Sequence, residues 1–198
     1  MTDSFSPPGV SAADRERVLA VHEAALRDEG VHVEGAPEPD LEDVEGAYPD
    51  RDGVFLVGTV DGRIVGTGAL RPAEGYITEY LDVDADTAEV KRMRVAPTHQ
   101  GQGHGRRIYY ELERRARDRG FGELVLDTMS TLTGAQWLYE SAGFELVHRE
   151  RLEDRAEPFE LLFYRKRLVG QASEQPARRD SYRYTLYSLV WNKWTISV

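Results

Sequence analysis

Apolar residues follow a helical period in the first quarter of this chain. A helix that begins after Ser11 and ends near Gly30 would have the apolar Val18, Leu19 and Leu26 on one side, together with His22. Residues 40–48 favour a second, shorter helix. Residues 1–10 hold two prolines, one glycine and few strand-forming residues, so the pattern gives little support for a strand before the first helix.

The next segment has the pattern of a β-hairpin. Two apolar runs at residues 54–60 and 63–70 are separated by Asp61 and Gly62, a pair that supplies the positive φ angles of a type I′ turn. We therefore expect two neighbouring antiparallel strands. Residues 71–87 are rich in acidic side chains and are expected to form a solvated loop, with substrate recognition as the alternative.

The middle of the chain combines a strand, a glycine-rich loop and a helix in that order. In the strand, residues 88–95, the apolar Val90 and Met93 are an odd number of positions apart, so a β-bulge near Arg92 is needed to keep both on one face. The loop at residues 100–105 contains three glycines. Apolar residues then recur at helical spacing, at Ile108, Tyr109, Leu112 and Ala116.

After this helix the pattern predicts a strand, a helix and two more strands. Residues 123–128 form an apolar run typical of a buried parallel strand that is reached through the preceding helix. Thr133 and Gln136 favour the capped start of a helix, and Gly143 favours its end. The last two strands are expected at residues 144–148 and 159–167.

The end of the chain has a different composition. Residues 170–180 are polar and linker-like, whereas residues 181–198 are rich in aromatic and β-branched residues, which favour a strand. Two locations fit such a strand: a vacant edge of the sheet, or the equivalent surface of a second subunit, where an exchanged strand would hold a homodimer together. Aromatic enrichment favours the dimer, and a disordered or vector-derived tail is a third alternative.

Composition and charge narrow the class of protein. The 198 residues fit one domain with a sizeable core, and no apolar run is long enough to cross a bilayer. The absence of cysteine excludes a covalent route through sulfur, and the five histidines lack metal-ligand spacing, so no metal is expected. A net charge of −10 argues against a nucleic-acid partner and suits either a cationic substrate or solubility alone. The first residues lack signal-peptide features, so we expect a cytoplasmic protein without a membrane partner.

The glycine-rich loop and the helix after it predict an anion site. Loop glycines allow a close backbone approach, and the first-turn N–H groups of a helix have no intrahelical partner. Arg106 and Arg107 add two cations to that first turn, whereas His99 and His104 beside the loop are expected to be solvated. The loop lacks the lysine and hydroxyl of a Walker-type nucleotide loop, and its third glycine is misplaced for a dinucleotide fingerprint. A phosphate is the expected occupant.

Two motifs resemble those of a known family. Residues 100–105 read Gln-Gly-Gln-Gly-His-Gly after a strand that ends in Met-Arg-Val-Ala-Pro, which resembles motif A of the GCN5-related N-acetyltransferase (GNAT) superfamily. Motif B of that family is matched at Ala135, Leu138, Tyr139, Gly143 and Phe144. The asparagine that often precedes this motif is Leu132 here, so the polar group of that position is missing. The resemblance covers residues 54–168 well and residues 11–53 loosely.

The resemblance implies a fold and a cofactor. The fold is α/β, with a mixed, splayed β-sheet of six to seven strands and helices on both faces, in a domain of residues 1–168 followed by a tail of residues 169–198. The implied co-substrate is acetyl-CoA, with its pyrophosphate on the glycine loop and its pantetheine arm in the wedge between splayed strands. The implied contacts are Met93, Arg94, Val95, Gln100, Gly101, Gln102, Gly103, His104, Gly105, Arg106 and Arg107.

The resemblance also implies three catalytic groups. Glu89 matches the glutamate that histone-type members use as a general base, often through water, and a salt bridge to Lys91 or Arg92 is the alternative. The backbone N–H of Met93 matches the donor to the developing oxyanion. Tyr139 matches the general acid for the departing thiolate, and a purely structural aromatic is its alternative.

The expected activity is therefore acetyl-CoA-dependent N-acetylation of a primary amine, by direct transfer in a ternary complex. Besides acetyl-CoA, we expect two partners: the amine acceptor, and a second copy of the chain in the homodimer. The alternative function is a non-catalytic acyl-CoA-binding or regulatory module, which would keep the loop and Arg106 but would not depend on Glu89 or Tyr139.

Overall fold

A computed structural model describes residues 12–153, 158–168 and 184–188 of the chain. The helices in this part are α1 Ala12–Asp28, α2 Pro39–Glu42, α3 Val44–Ala47, α4 His104–Asp118 and α5 Thr133–Ser141. The strands are β1 Val54–Val60, β2 Arg63–Pro72, β3 Thr87–Val95, β4 Glu123–Met129, β5 Glu145–Leu152, β6 Phe159–Arg167 and β7 Tyr184–Ser188. Short 3₁₀ helices lie at Pro49–Arg51, Gly75–Glu79 and Pro97–His99.

All seven strands form one mixed sheet in the order β5-β6-β4-β3-β2-β1-β7. Strands β3 and β4 run parallel and are joined through α4, and the other neighbours are antiparallel. Helices α1 to α3 cover one face with a cluster that includes Val18, Tyr48 and Phe55. Helices α4 and α5 cover the other face, where the largest cluster lies. The α/β fold with a mixed sheet and helices on both faces is thus confirmed.

Helix α4 buries the side that its sequence predicts. Ile108, Tyr109, Leu112 and Ala116 are all fully buried. They hold α4 against one face of the sheet, mainly on β1, β2 and β3, and the helix connects β3 to the parallel β4. This places the first turn of α4 at the carboxyl end of β3.

The N-terminal helices follow the prediction with one difference. Helix α1 ends before Gly30, which has a φ of +70°, as expected. Residues 40–48 form two short helices instead of one, because the Asp43 side chain accepts a hydrogen bond of 3.1 Å from the N–H of Gly46 and starts α3. The expectation for residues 1–10 lies outside the described residues.

The hairpin has the predicted turn. Asp61 and Gly62 have φ angles of +49° and +73°, and Val60 lies opposite Arg63 in the register. Two positive φ angles give the twist that matches a two-residue β-hairpin. The predicted central antiparallel pair is confirmed.

The acidic segment after β2 is less solvated than we expected. Ile77 and Leu81 are 0% and 6% exposed, and they pack on Val125 and Phe163. The sequence pattern does not reveal these two buried positions, because two apolar residues in an acidic loop have no regular periodicity.

Helix α5 ends as predicted but is not capped as predicted. Gly143 has a φ of +89°, directly after the C-cap. Thr133 is the first helical residue, and the N-cap is the buried Leu132, which has no side-chain acceptor. Gln136 bonds instead to the carbonyl oxygen of Ser130, at 2.9 Å. The predicted capping box is therefore wrong.

The predicted strand in the tail forms at the vacant edge of the sheet. Strand β7 pairs antiparallel with residues 56–60 of β1. Of the two locations expected for this strand, the structure shows the first, at the edge of this chain's own sheet. Exchange of the strand between two subunits stays a prediction, and so does the domain boundary after residue 168. The linker-like residues 170–180 lie outside the described residues.

Candidate active site

A β-bulge lies in β3 where the sequence predicts it. Lys91 pairs with Ala69 and Arg94 pairs with Thr67, so that Arg92 and Met93 both lie opposite Gly68. Arg92 has a φ of +54°, in the left-handed region that side chains rarely adopt. Gly68 is required here, because a Cβ would lie 2.7 Å from the Met93 sulfur.

Strands β3 and β4 separate just before this bulge. Within the described residues they pair only from Thr87 to Glu89, opposite residues 123–125 of β4. Beyond Glu89, the backbone N–H and C=O groups of β3 that face β4 have no strand partner. Such groups need other hydrogen-bond partners, so an extended ligand can pair with them as an added strand would.

Two carboxylates bind the bulge residue Arg92 on the side of α1 and α2, and two further side chains bind those carboxylates. Its guanidinium lies 2.6 Å from Glu38 and forms a second ion pair with Asp40. Glu38 also bonds to His22, at 3.0 Å, and Asp40 accepts a hydrogen bond from Tyr48. Burial alone would raise the pKa of Asp40, but the hydrogen bond and charge of Arg92 outweigh it, and the pKa lies below its usual range. The network keeps both carboxylates ionised beside the bulge.

The glycine loop follows β3 and ends at the N-terminus of α4. Gly101 and Gly103 have φ angles of +71° and +82°, and space is open where their Cβ atoms would be. Side chains of the loop bind its own backbone, since Gln100 donates to the Val95 carbonyl and Gln102 to the Thr98 carbonyl. Gly103 is the N-cap of α4 and provides no side-chain cap. The first N–H groups of the helix therefore remain available for an anion.

Three residues in the first turn of α4, His104, Arg106 and Arg107, lie in different environments. Arg106 lies between the rings of Tyr110 and Trp137, at 5.7 and 5.9 Å from their centroids, and Arg107 is exposed. His104 is 6% exposed, so our expectation of a solvated ring is wrong. Its burial, with the charge of Arg107, lowers its pKa. Both arginines remain on the first turn beside the loop.

Glu89 is buried in the last paired position of β3. It is 2% exposed, its Oε1 lies 2.7 Å from the Lys91 ammonium, and its Oε2 lies 3.6 Å from Nε of Arg71. The salt bridge to Lys91 that the sequence allows is therefore present, whereas Arg92 pairs elsewhere. Burial raises the pKa of Glu89 despite the opposing charges of Lys91 and Arg71.

A second carboxylate, Asp127, lies on the same face of the sheet and was missed by sequence reasoning. It is two residues beyond Val125, the partner of Glu89, so it lies on β4 where that strand has left β3. Burial raises the pKa of Asp127, opposed mainly by the charges of Lys91 and Arg94. A carboxylate inside the apolar run of residues 123–128 was the signal in the sequence.

Tyr139 lies on α5, across the opening from β3. It is 5% exposed, and its ring packs on Phe144 and Tyr164, with centroids 5.8 and 6.3 Å away. Its hydroxyl has no hydrogen bond among the described residues. Burial raises the pKa of Tyr139 to about 12, and the charge of Arg94 opposes this shift. The phenol is therefore protonated throughout the neutral range.

The three residues at the end of β3 line the opening. Nη1 of Arg94 donates a hydrogen bond of 2.8 Å to the carbonyl oxygen of Met93. Val95 pairs with Gly66 on the β2 side, and its side chain is close to Gly105 of α4.

Among the described residues, no group of three or more acidic, histidine or cysteine side chains could hold a metal ion. Within the same ranges, no helix has the length and apolarity to span a membrane.

Known proteins share this sequence pattern. The Acetyltransferase (GNAT) family matches residues 18–144 of the chain. N-acetyltransferase YjgM of Escherichia coli K12, itself uncharacterized, is 28% identical over 110 residues, which are 56% of this chain and 62% of that protein. Human N-acetyltransferase 8B is 31% identical over 120 residues, with 58% and 48% of the two chains covered. IAA acetyltransferase of Azospirillum brasilense is 36% identical over 90 residues, 46% and 53% of the two chains. The chain thus spans about half to three fifths of these relatives.

Solved structures share the fold. A GNAT-family acetyltransferase from Staphylococcus aureus Mu50 superposes with a TM-score of 0.66 at 18% identity, covering 81% of this chain and 97% of that one. The ribosomal-protein-alanine N-acetyltransferase of Brucella melitensis gives 0.65 at 23%, with 81% and 98% covered. YncA of Salmonella typhimurium, a putative acetyltransferase solved with acetyl-CoA, gives 0.61 at 21%, with 83% and 95% covered.

The family match includes the bulged strand, the glycine loop and the helix with Tyr139. It covers most of the chain and agrees with a fold that the neighbouring structures share. This chain belongs to the Acetyltransferase (GNAT) family.

Proposed function

We propose that this protein is an N-acetyltransferase that moves an acetyl group from acetyl-CoA directly to a primary amine while both are bound. The observation that carries the proposal is the separation of β3 from β4 beside the uncapped N-terminus of α4. This arrangement offers an extended groove for a pantetheine arm that ends at an anion site for phosphate.

The residues present fit acetyl-CoA. Gly101 and Gly103 leave open space above the first turn of α4, and backbone groups of β3 beyond Glu89 have no partner on β4. Arg106 and Arg107 add positive charge on that turn. When bound, acetyl-CoA supplies the acetyl group as a thioester, which is activated toward an amine. We assign the backbone of Met93, Arg94 and Val95 to the pantetheine arm. The pyrophosphate is assigned to the loop, residues 100–105, with Arg106 and Arg107.

The acceptor amine has to lose a proton before it can attack, because the pKa of an alkylamine is about 10. Glu89 is the proposed general base, acting through water. Its Oε2 is buried without a hydrogen-bond partner among the described residues, and its raised pKa makes it a better proton acceptor than an exposed glutamate. The ion pair to Lys91 opposes the effect of burial and favours the carboxylate form.

Two further groups act on the carbonyl and the sulfur. The backbone N–H of Met93, at the bulge, is proposed to donate to the carbonyl oxygen as negative charge develops there. The Tyr139 hydroxyl is proposed to donate a hydrogen bond to the departing thiolate; a thiol has a pKa of about 8.5, so the phenol, with a pKa of about 12, stabilises the sulfur anion while it keeps its proton. A phenol with that raised pKa carries its proton at every working pH.

A steady-state assay with a panel of primary amines and CoA release as the readout tests this proposal. We expect turnover that depends on acetyl-CoA and on at least one amine class, and one acetylated product per CoA released. Calorimetry with acetyl-CoA is run in parallel. Tight binding of acetyl-CoA without turnover of any amine would support the acyl-CoA-binding module and contradict the enzyme.

A further inference from the structure

The side chain of Arg94 is a half-buried cation without a carboxylate partner among the described residues. Among the described residues, no carboxylate oxygen lies within 4.0 Å of its guanidinium, and the one hydrogen bond that it donates within the same ranges goes to the carbonyl oxygen of Met93. Its Nε is buried and has no hydrogen-bond partner. Its neighbour Arg92 differs, since it pairs with both Glu38 and Asp40. A guanidinium has five N–H donors, so the unused donors of Arg94, its buried Nε among them, are available to an acceptor from outside the chain.

The position of Arg94 is that of the acceptor, not of the phosphates. It shares a sheet face with Thr67, the face covered by α1, whereas the glycine loop leads into α4 on the opposite face. Its charge acts on Tyr139 of α5, on Glu29 at the end of α1 and on Asp127 of β4. Of these, Asp127 and Tyr139 lie on the two elements that flank the opening, β4 and α5. Arg94 is therefore close to the place where the amine meets the thioester.

Asp127 supplies the opposite charge at the same opening. It lies on β4 directly beyond the last pair with β3, and it has no ion pair within 4.0 Å among the described residues. Lys91, its nearest strand neighbour across the opening, is already paired with Glu89 at 2.7 Å. The opening therefore contains one cation on β3 and one carboxyl group on β4 that have no ion-pair partner among the described residues.

We propose that the acceptor is a small amine that carries a carboxylate, such as a free amino acid, with its carboxylate on Arg94 and its ammonium facing Asp127. This inference rests on the proposed acetyl transfer and adds the class of acceptor. A guanidinium can bind a carboxylate through two parallel hydrogen bonds, which fixes the acceptor's orientation as well as its charge. The same pair of groups disfavours amines that lack a carboxylate, because the buried Nε of Arg94 would then stay without a hydrogen-bond partner.

The test compares the standard L-amino acids with their carboxamides, which keep the amine and lose the negative charge. We expect kcat/KM to favour the carboxylates by about 10-fold to 100-fold, the range of one charge-assisted hydrogen bond. Arg94→Gln should reduce this preference to near unity, mainly through KM, and Arg94→Lys should restore part of it. Arg63→Gln, which changes an exposed arginine at the start of β2, is the matched control and should leave the preference intact. Asp127→Asn should raise KM for acids and amides alike.

The outcomes separate this inference from the proposed function. Turnover of amides as fast as of acids, or an unchanged preference in Arg94→Gln, overturns the carboxylate site but leaves N-acetylation in place. If no amine is turned over, calorimetry of the amino acids with the CoA-bound protein decides. Binding that Arg94→Gln abolishes supports the site even though the proposed activity has failed, and absence of binding overturns it.

Discussion

The Arg92 side chain donates from its Nε to Oδ2 of Asp40, across 2.8 Å, and so ties the bulge of β3 to helix α2. The two residues are 52 positions apart in the sequence. Because Arg92 has a positive φ, its backbone conformation is strained by about 1 to 2 kcal/mol, and the ion pairs with Asp40 and Glu38 oppose that strain. The shape of the opening thus depends on contacts from outside the strand.

Two substitutions of Arg92 separate strain from ion pairing. Arg92→Ala and Arg92→Gly both remove the ion pairs, but glycine adopts a positive φ without strain. We expect both variants to lower the free energy of unfolding, with Arg92→Ala less stable than Arg92→Gly by about 1 kcal/mol. Urea denaturation measures the difference. Equal stability of the two variants would mean that the backbone relaxes to a negative φ and that the bulge is not held by this residue.

Gly103 and Gly120 form a matched pair for testing the phosphate site. Their φ angles are +82° and +83°, and both have open space at the Cβ position, but Gly103 begins α4 whereas Gly120 follows its other end. Valine at either position should cost similar stability. We expect only Gly103→Val to weaken acetyl-CoA binding, by about 10-fold or more, because its side chain would stand where the loop backbone meets phosphate. Equal affinities of the two variants in calorimetry would remove the loop from the site.

Glu89→Gln tests the general base. The group acts as a carboxylate, so kcat should rise with pH as Glu89 loses its proton, and burial places that midpoint above the usual range of a glutamate. The glutamine variant is expected to lose about 100-fold in kcat and the rising limb of its pH profile, with little change in the KM for acetyl-CoA. Its control is Glu74→Gln, an exposed carboxylate outside the opening. A parent-like profile in Glu89→Gln would assign proton removal to another group.

Tyr139→Phe tests the general acid with the smallest change of shape. The ring contacts with Phe144 and Tyr164 survive, so the fold should be retained. We expect kcat to fall by about 10-fold to 100-fold, with the KM for acetyl-CoA nearly unchanged, the pattern of a group that acts in the transition state. Tyr110→Phe, on α4, is the matched control. Because the pKa of Tyr139 is about 12, the variant should keep the shape of the pH profile below pH 10.

The tail is expected to exchange between two subunits. An exchanged β7 would make the same pairing with residues 56–60 that it makes within one chain, and it would join two sheets. Light scattering should then give a dimer for the full chain and a monomer after deletion of residues 170–198. The truncated protein should also be less stable, because the outer edge of β1 loses its partner. A monomeric full chain would mean that each tail completes its own sheet.

The local features of this protein could be predicted from its sequence. The hairpin turn at Asp61 and Gly62, the buried side of α4 and the bulge near Arg92 depend on residue spacing and on φ preferences, which are properties of neighbouring residues. The glycine loop could be predicted for the same reason. Together with the motifs that resemble the GNAT family, they led to the predicted α/β fold and to the proposed phosphate site.

The proposed acceptor side of the opening depends on the tertiary structure. Asp127 is one carboxylate in an apolar run, and only the point at which β4 leaves β3 places it in the opening. The different surroundings of Arg92 and Arg94 depend on Glu38 and Asp40, which lie more than fifty residues earlier, so the sequence of the strand does not reveal this difference. Desolvation and charge act through space, so the pKa values of Glu89, Asp127 and Tyr139 follow from packing between distant segments and not from local sequence.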